Sequence, residues 1–253
     1  MAGGLPQLIG VSWACESGAS TADGLTTTGL TLPKTIRFSP ENSSRKPLEI
    51  SDEIEVSGET RGPVGPVGQA VAVRIDGDQV AFINCRFSGN QDTLYPHGEK
   101  SHQYYRDCII EGTVDFIFGW STVVFDRCSL ICKDQGFVTA PSTNEGTAFG
   151  FVFLDCKISG TASEGSFYLG RPWRPFAKSV FLRCELGNLI KPEGWHNWDK
   201  PDAEKTSFFA EYQNTGSGAS VDKRVSWSHQ LTSEEASAYT PENILGEWVR
   251  KYK

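Results

Sequence analysis

The chain has 253 residues, with 24 Lys and Arg against 31 Asp and Glu, a net charge of -7, and 26 Gly, 15 Phe and 7 Trp but one Met. No basic stripe is present to neutralise phosphates, which excludes nucleic acid as a partner, and no apolar run reaches the length of a membrane span, which excludes a membrane one. The length and the Gly-rich, aromatic-rich composition fit a single large β-rich domain over residues 1–253.

In chain order, the opening "MAGGLPQLIGVSWACESG" lacks a basic region followed by an apolar one, so no secretory signal is visible. The following "RFSPENSSRKPLEISDEIEVSGETRG" reads as too polar for packed coils, and residues 1–60 are expected to form a divergent or incomplete N-terminal part. From Phe82 a repeat begins. Five segments, "FINCRFSG", "YYRDCIIEG", "VFDRCSLIC", "VFLDCKISG" and "VFLRCELGN", share a short apolar run, a polar residue, a Cys and a second apolar position. Their cysteines, Cys85, Cys108, Cys128, Cys156 and Cys184, are 23, 20, 28 and 28 residues apart. Short strands repeating at that period predict a β-solenoid, in which each coil buries its interior only by stacking on the next.

Within the repeat, "CIIEGTVDFIFGW" places Asp115 in an almost continuous apolar run of β-branched and aromatic residues. Asp is a poor strand residue, and a structural ion pair is the plain alternative for it. The spacing adds a second reading. Asp92 and Asp115 each lie seven residues after a repeat cysteine, so they are expected to stack on successive coils, and 23 residues before Asp92 stands Gln69, an amide donor. The odd count of seven cysteines, and the coil spacing of five of them, read as small buried filler rather than as disulfides. Cys128 and Cys132 lie four apart, but four His without paired ligand spacing argue against zinc, and no cofactor is expected. At the C-terminal end, Thr232 with Glu235 forms a capping box, and Thr240-Pro241 opens a second helix that Gly246 stops. Residues 232–253 therefore read as a helical cap on the end of the solenoid.

The segments "GQAVAVR", "GNQDTLY", "GTVDFIFG" and "YLGRPWRPFAKSVF" closely resemble the signatures of pectin methylesterases, and "PEGWHNWDKPDAEKTSFFAEYQNTG" is similar to that family with a bacterial flavour. The match covers residues 65–218. The resemblance implies a right-handed parallel β-helix that hydrolyses methyl esters of galacturonate in pectin. It implies that Asp115 is the nucleophile, that Asp92 is the proton donor and later the base, and that Arg171 holds Asp115. Gln69 and Gln91 are implied as oxyanion donors and Trp173 as a sugar platform. Tyr95, Trp195 and Trp198 are expected to line the substrate groove. The implied partner is methylated homogalacturonan, met by a monomer outside the cytoplasm, secreted or periplasmic.

Singly these residues have structural explanations: Asp92 as an Asx-turn, Arg171 as a surface ion pair, Trp173 as core. Rival functions are a serine esterase, a pectin-cleaving β-helix enzyme, and a non-catalytic or impaired pectin-binding solenoid that follows from the atypical N-terminus. Gly119-Trp120-Ser121-Thr122-Val123 lacks the closing Gly of a nucleophile elbow, which disfavours the first.

Overall fold

The computed structural model describes residue 69 and residues 71–252, together with the backbone of strands Val11–Ser12, Leu48–Ser51 and Glu55–Ser57. Cys15, and Gly68 and Ala70 of "GQAVAVR", lie outside the described residues. The chain winds through three sheets in turn, each coil adding one short strand to each sheet. The first sheet runs through Val73–Ile75, Leu94–Pro96, Ile117–Gly119, Gly136–Pro141 and Phe167–Gly170, with Val11–Ser12 antiparallel at its edge. The second contains Val80–Ile83, His102–Arg106, Thr122–Asp126, Phe151–Leu154, Lys178–Leu182 and Phe208–Tyr212; the third contains Arg86–Ser88, Ile109–Gly112, Ser129–Cys132, Lys157–Gly160 and Glu185–Leu186. All pairings between these coils are parallel, as the expected β-helix requires.

The cysteine repeat has a backbone cause. The residue before each repeat cysteine, Asn84, Asp107, Arg127, Asp155 and Arg183, has φ between 51° and 55°, in the left-handed region. Asn and Asp enter that region at low cost, and one such residue turns each coil from the second sheet into the third. Three residues before each cysteine stands an inward aromatic. Phe82, Tyr105, Phe125, Phe153 and Phe181 stack in one ladder, with ring centroids 5.0, 4.9, 4.6 and 4.2 Å apart and planes within 21°. Each adds area to the core that no single coil could bury. The six described cysteines are buried and free, and the thiols of Cys108, Cys128, Cys156 and Cys184 donate to backbone carbonyls of their own and the preceding coil.

Two expectations are corrected here. The polar N-terminal stretch does enter the solenoid: Leu48–Ser51 pairs in parallel with Val80–Ile83, and Glu55–Ser57 with Arg86–Ser88. Backbone ladders form without an apolar pattern when the neighbouring coil offers an unpaired edge. The C-terminal helices Ser233–Ala236 and Pro241–Leu245 do not lid the end. Their Ile244 and Leu245, with Val249 and Tyr252, pack on Ala81, Tyr104, Val124, Val152 and Val180, the outward positions of the second sheet. Strands such as "VVF" and "FVFL" are apolar on both faces and need a cover on the outer one. Both helix starts are as expected. Thr232 accepts from the Glu235 amide at 3.2 Å while the Glu235 carboxylate accepts from the Thr232 amide at 2.8 Å, and Thr240 accepts from the Asn243 amide at 3.2 Å.

Candidate active site

The outer face of the first sheet carries the acids. Leu94 pairs with Ile117, 23 positions on, so Asp92 and Asp115 occupy matching places on adjacent coils. Both lie just before their strands with φ of 63° and 52°. Left-handed residues there turn the chain sharply into the strand, and the two turns interlock: the Asp92 amide donates to the Val114 carbonyl at 3.1 Å and the Thr113 amide to the Asn90 carbonyl at 2.9 Å.

The preceding coil is out of step. Val73 pairs with Leu94, only 21 positions on, so the register brings residue 71 rather than Gln69 opposite Asp92. The equal-spacing column of Gln69, Asp92 and Asp115 is therefore corrected to a column of two acids. Gln69 is exposed on the coil before them, and Gln91 is half-buried beside Asp92.

Arg171 closes on Asp115 with a planar fork, Nε to Oδ1 at 2.9 Å and Nη2 to Oδ2 at 2.7 Å. Its guanidinium is itself clamped between two rings, 3.9 Å from the Phe137 centroid and 3.6 Å from that of Trp198. A stacked, bidentate arginine has little freedom left, so it fixes where the carboxylate points. Lys200 sits 4.5 Å above the Trp198 ring and donates to the Trp173 carbonyl at 3.0 Å.

Burial and charge divide the two acids. Burial pushes Asp115 upward from the ordinary carboxylate range, while the Arg171 hydrogen bonds, the Arg171 charge and Lys200 pull it back. Desolvation outweighs the cation, so the net direction for Asp115 is upward. Asp92 has no such fork among the described residues. Burial first, then the Asp115 charge, raise it to about 7, against a smaller lowering by Arg171. The pair shares one titration in which Asp115 yields its proton first and Asp92 keeps one near neutrality.

Aromatic rings flank the acids. Tyr95 stacks on Phe118 at 4.2 Å and 16°, and Trp173 stands edge-on to both at 6.3 and 5.8 Å. Trp120 lies 6.3 Å from Trp173 and 4.1 Å from His97. On the other side Phe137 stacks on Tyr168 at 5.2 Å. Trp195, expected in the groove, is 1 % exposed and stacks on Phe209 at 4.6 Å in the core. Its expected contact with substrate is corrected: it faces inward where the aromatic ladder ends at Phe181, 5.8 Å away. Phe118, Trp120, Phe137 and Lys200 were given no role by sequence reasoning. The 23-residue step that relates Asp92 to Asp115 also relates Tyr95 to Phe118 and His97 to Trp120, a signal that was available for two of them.

Fold and site together define a parallel β-helix protein with an acid pair, one member held by an arginine fork, on an aromatic-lined face. The chain belongs to the pectinesterase family, whose profile matches residues 55–247. It is 45% identical over 191 residues to pectinesterase 31 of Arabidopsis thaliana, covering 75% of this chain and 59% of that protein. The structure resembles the pectin methylesterase from carrot with a TM-score of 0.70 and 33% identity, covering 79% of this chain and 66% of that one. It also resembles a pectin methylesterase solved in complex with a hexasaccharide, with a TM-score of 0.64 and 27% identity, covering 79% and 72% of the two chains. The chain thus spans about three fifths of the Arabidopsis relative's length.

Proposed function

We propose that this chain hydrolyses the methyl esters of galacturonate in pectin, releasing methanol and leaving pectate. The observation that supports this most is the division of the acid pair: one carboxylate oriented by a clamped arginine, the other protonated near neutral pH. Membership of the pectinesterase family and the likeness to a pectin methylesterase bound to a hexasaccharide support the substrate class.

In this reading an ionised Asp115 oxygen attacks the ester carbonyl carbon, and the electron pair of the C=O bond moves onto oxygen as a tetrahedral oxyanion. The oxyanion collapses, the C–O bond to the methoxy group breaks, and Asp92 gives methanol its proton. An acyl anhydride on Asp115 remains. Asp92, now a carboxylate, takes a proton from water as the water attacks the acyl carbon. The second collapse frees Asp115 and the galacturonate and returns the starting state. Gln91 and Gln69 supply amide donors to the oxyanion, and Trp173, with Tyr95 and Phe118, packs against the sugar and its methyl group. Arg171 keeps one Asp115 oxygen aimed while the pair exchanges charge. The enzyme works as a monomer on pectin outside the cytoplasm.

Incubation of the chain with highly methylated pectin tests the reading. Methanol release with no chain shortening and no unsaturated product is expected. Shortening, or an unsaturated product, points to a cleaving enzyme on the same fold, because fold does not fix chemistry.

A further inference from the structure

Where the third sheet hands the chain back to the first, Arg86, Ser88, Glu111 and Lys133 converge. Ser88 and Glu111 are register partners on adjacent strands, and the Ser88 hydroxyl donates to one Glu111 carboxylate oxygen. The Lys133 ammonium lies 3.6 Å from that same oxygen, and the Arg86 guanidinium donates to the other at 2.9 Å. Lys133 also donates to the Gly89 carbonyl at 2.8 Å. None of these contacts belongs to the chemistry above. We propose that Lys133 and Glu111 are positioning residues for the reaction, which hold the turns carrying Asp92 and Asp115 at their working separation. The inference rests on the pectin reading and adds to it residues that do not meet the substrate.

The sequence sets these groups a short step from the acids. Gly89 stands three residues before Asp92 and Glu111 four before Asp115, while Lys133 opens the matching turn of the next coil, since Cys132 pairs with Gly112. A lysine of one coil thus reaches past its neighbour to the coil beyond, a span of roughly 9.6 Å at two strand spacings. Between those two coils it meets the Glu111 carboxylate, so the strap is tied to the turns of both acids. The turns have no slack. A Cβ at Gly112 would lie 2.6 Å from the Asn90 carbonyl oxygen, and one at Gly136 would lie 2.4 Å from that of Thr113. The buried Thr93 hydroxyl, next to Asp92, lies 3.2 and 3.0 Å from the carbonyls of Asn90 and Glu111. A displacement of Gly89 or Glu111 is therefore passed along the backbone to the acids rather than absorbed by a void.

Two features make this a matter of rate more than of stability. The Arg86 and Lys133 side chains are 44 % and 33 % exposed, so their ion pairs with Glu111 add little to the global stability. Rate is far more sensitive to placement, because a misplacement of about 1 Å at reacting groups costs on the order of a hundredfold. The two acids also differ in what else holds them. Asp115 is fixed by the Arg171 fork, whereas Asp92 has no such fork among the described residues and takes its place from the turn that Lys133 holds.

The test follows methanol release from methylated pectin across pH for Lys133→Met, Lys133→Arg and Glu111→Gln. Lys133→Met should lower kcat by about tenfold and leave KM within about twofold, since the face that meets the sugar is untouched. A looser turn leaves Asp92 less buried and farther from Asp115, so both causes that raise it weaken while the opposing Arg171 charge remains. The falling limb of kcat against pH should therefore move toward acid, by about 0.5 pH or more. Lys133→Arg keeps the cation and the reach and should restore most of both. Glu111→Gln, nearly isosteric, should lower kcat by about threefold with a limb shift in the same direction. A folded Lys133→Met chain with kcat and limb unchanged overturns the positioning role, as does a loss that is equal at every pH and is not restored in Lys133→Arg. Where Lys133→Met does not fold, Glu111→Gln decides, and an unchanged kcat and limb there overturn the role. An unmodified chain that releases no methanol overturns the pectin reading itself, and the role with it.

Discussion

Asp92 is held at about 7 by burial and by its neighbour's charge, and this has consequences for both rate and stability. In the proposed mechanism the first half-reaction needs Asp92 protonated and Asp115 ionised, so the rate should fall as pH rises through about 7. For stability, the native protein binds more protons than the unfolded chain between the ordinary aspartate value of 3.8 and about 7, so stability falls as pH rises across that window. Asp92→Asn removes the effect. Its melting temperature should exceed that of the unmodified protein by more at pH about 8 than at pH about 4, while methanol release is lost. A melting difference that does not grow with pH removes the burial account of this acid. Arg171→Lys keeps the charge but loses both the fork on Asp115 and the stacking between Phe137 and Trp198. Its kcat should drop at least about tenfold, measured as initial methanol release, whereas a purely electrostatic role leaves kcat nearly intact.

At the scale of elements, the loop after Leu186 returns His196, Trp198 and Lys200 to the site, and a buried ion pair anchors it. Arg224 reaches Glu211 with Nε at 2.7 Å and Nη2 at 3.1 Å and also donates to the Pro192 and Gly218 carbonyls at 3.0 and 2.8 Å, with the two side chains 4 % and 2 % exposed. Removing one partner strands a buried charge. Arg224→Met should cost about 3–5 kcal/mol in urea unfolding and loosen Trp198 over Arg171. A loss below about 1 kcal/mol places the pair among weak surface contacts. The elements themselves were unevenly legible in the sequence. The strands around each repeat cysteine were, because a short apolar run, a polar residue, a cysteine and a second apolar position recur together. The step from Val73 to Leu94 was not, because two residues fewer in one coil leave no mark in composition, and this misplaced Gln69. Trp195 was misread because a tryptophan beside motif residues carries no sign of which way it faces. Leu48–Ser51 and Glu55–Ser57 were missed because edge strands join through backbone and need no apolar pattern.

Across the whole molecule, stacked coils use thiols as filler in place of covalent staples. Cys85, Cys108, Cys128, Cys132, Cys156 and Cys184 are all buried and free. Titration with a thiol reagent in denaturant without reductant should recover all six of these, and recovery of two or fewer contradicts a solenoid held by packing alone. The same stacking rigidly spaces the sheet that carries Asp92, Asp115 and the rings around them, so the chemistry depends on the fold through register more than through any single contact. The most direct test of the central claim, that Asp115 is the nucleophile, is methanol release from methylated pectin by Asp115→Asn, with circular dichroism showing it folded. An amide cannot form the acyl intermediate, and the rate should fall by about a thousandfold or more. A folded Asp115→Asn protein that releases methanol at a near-normal rate contradicts the account, leaving Asp115 as an ion-pair partner of Arg171 and no more.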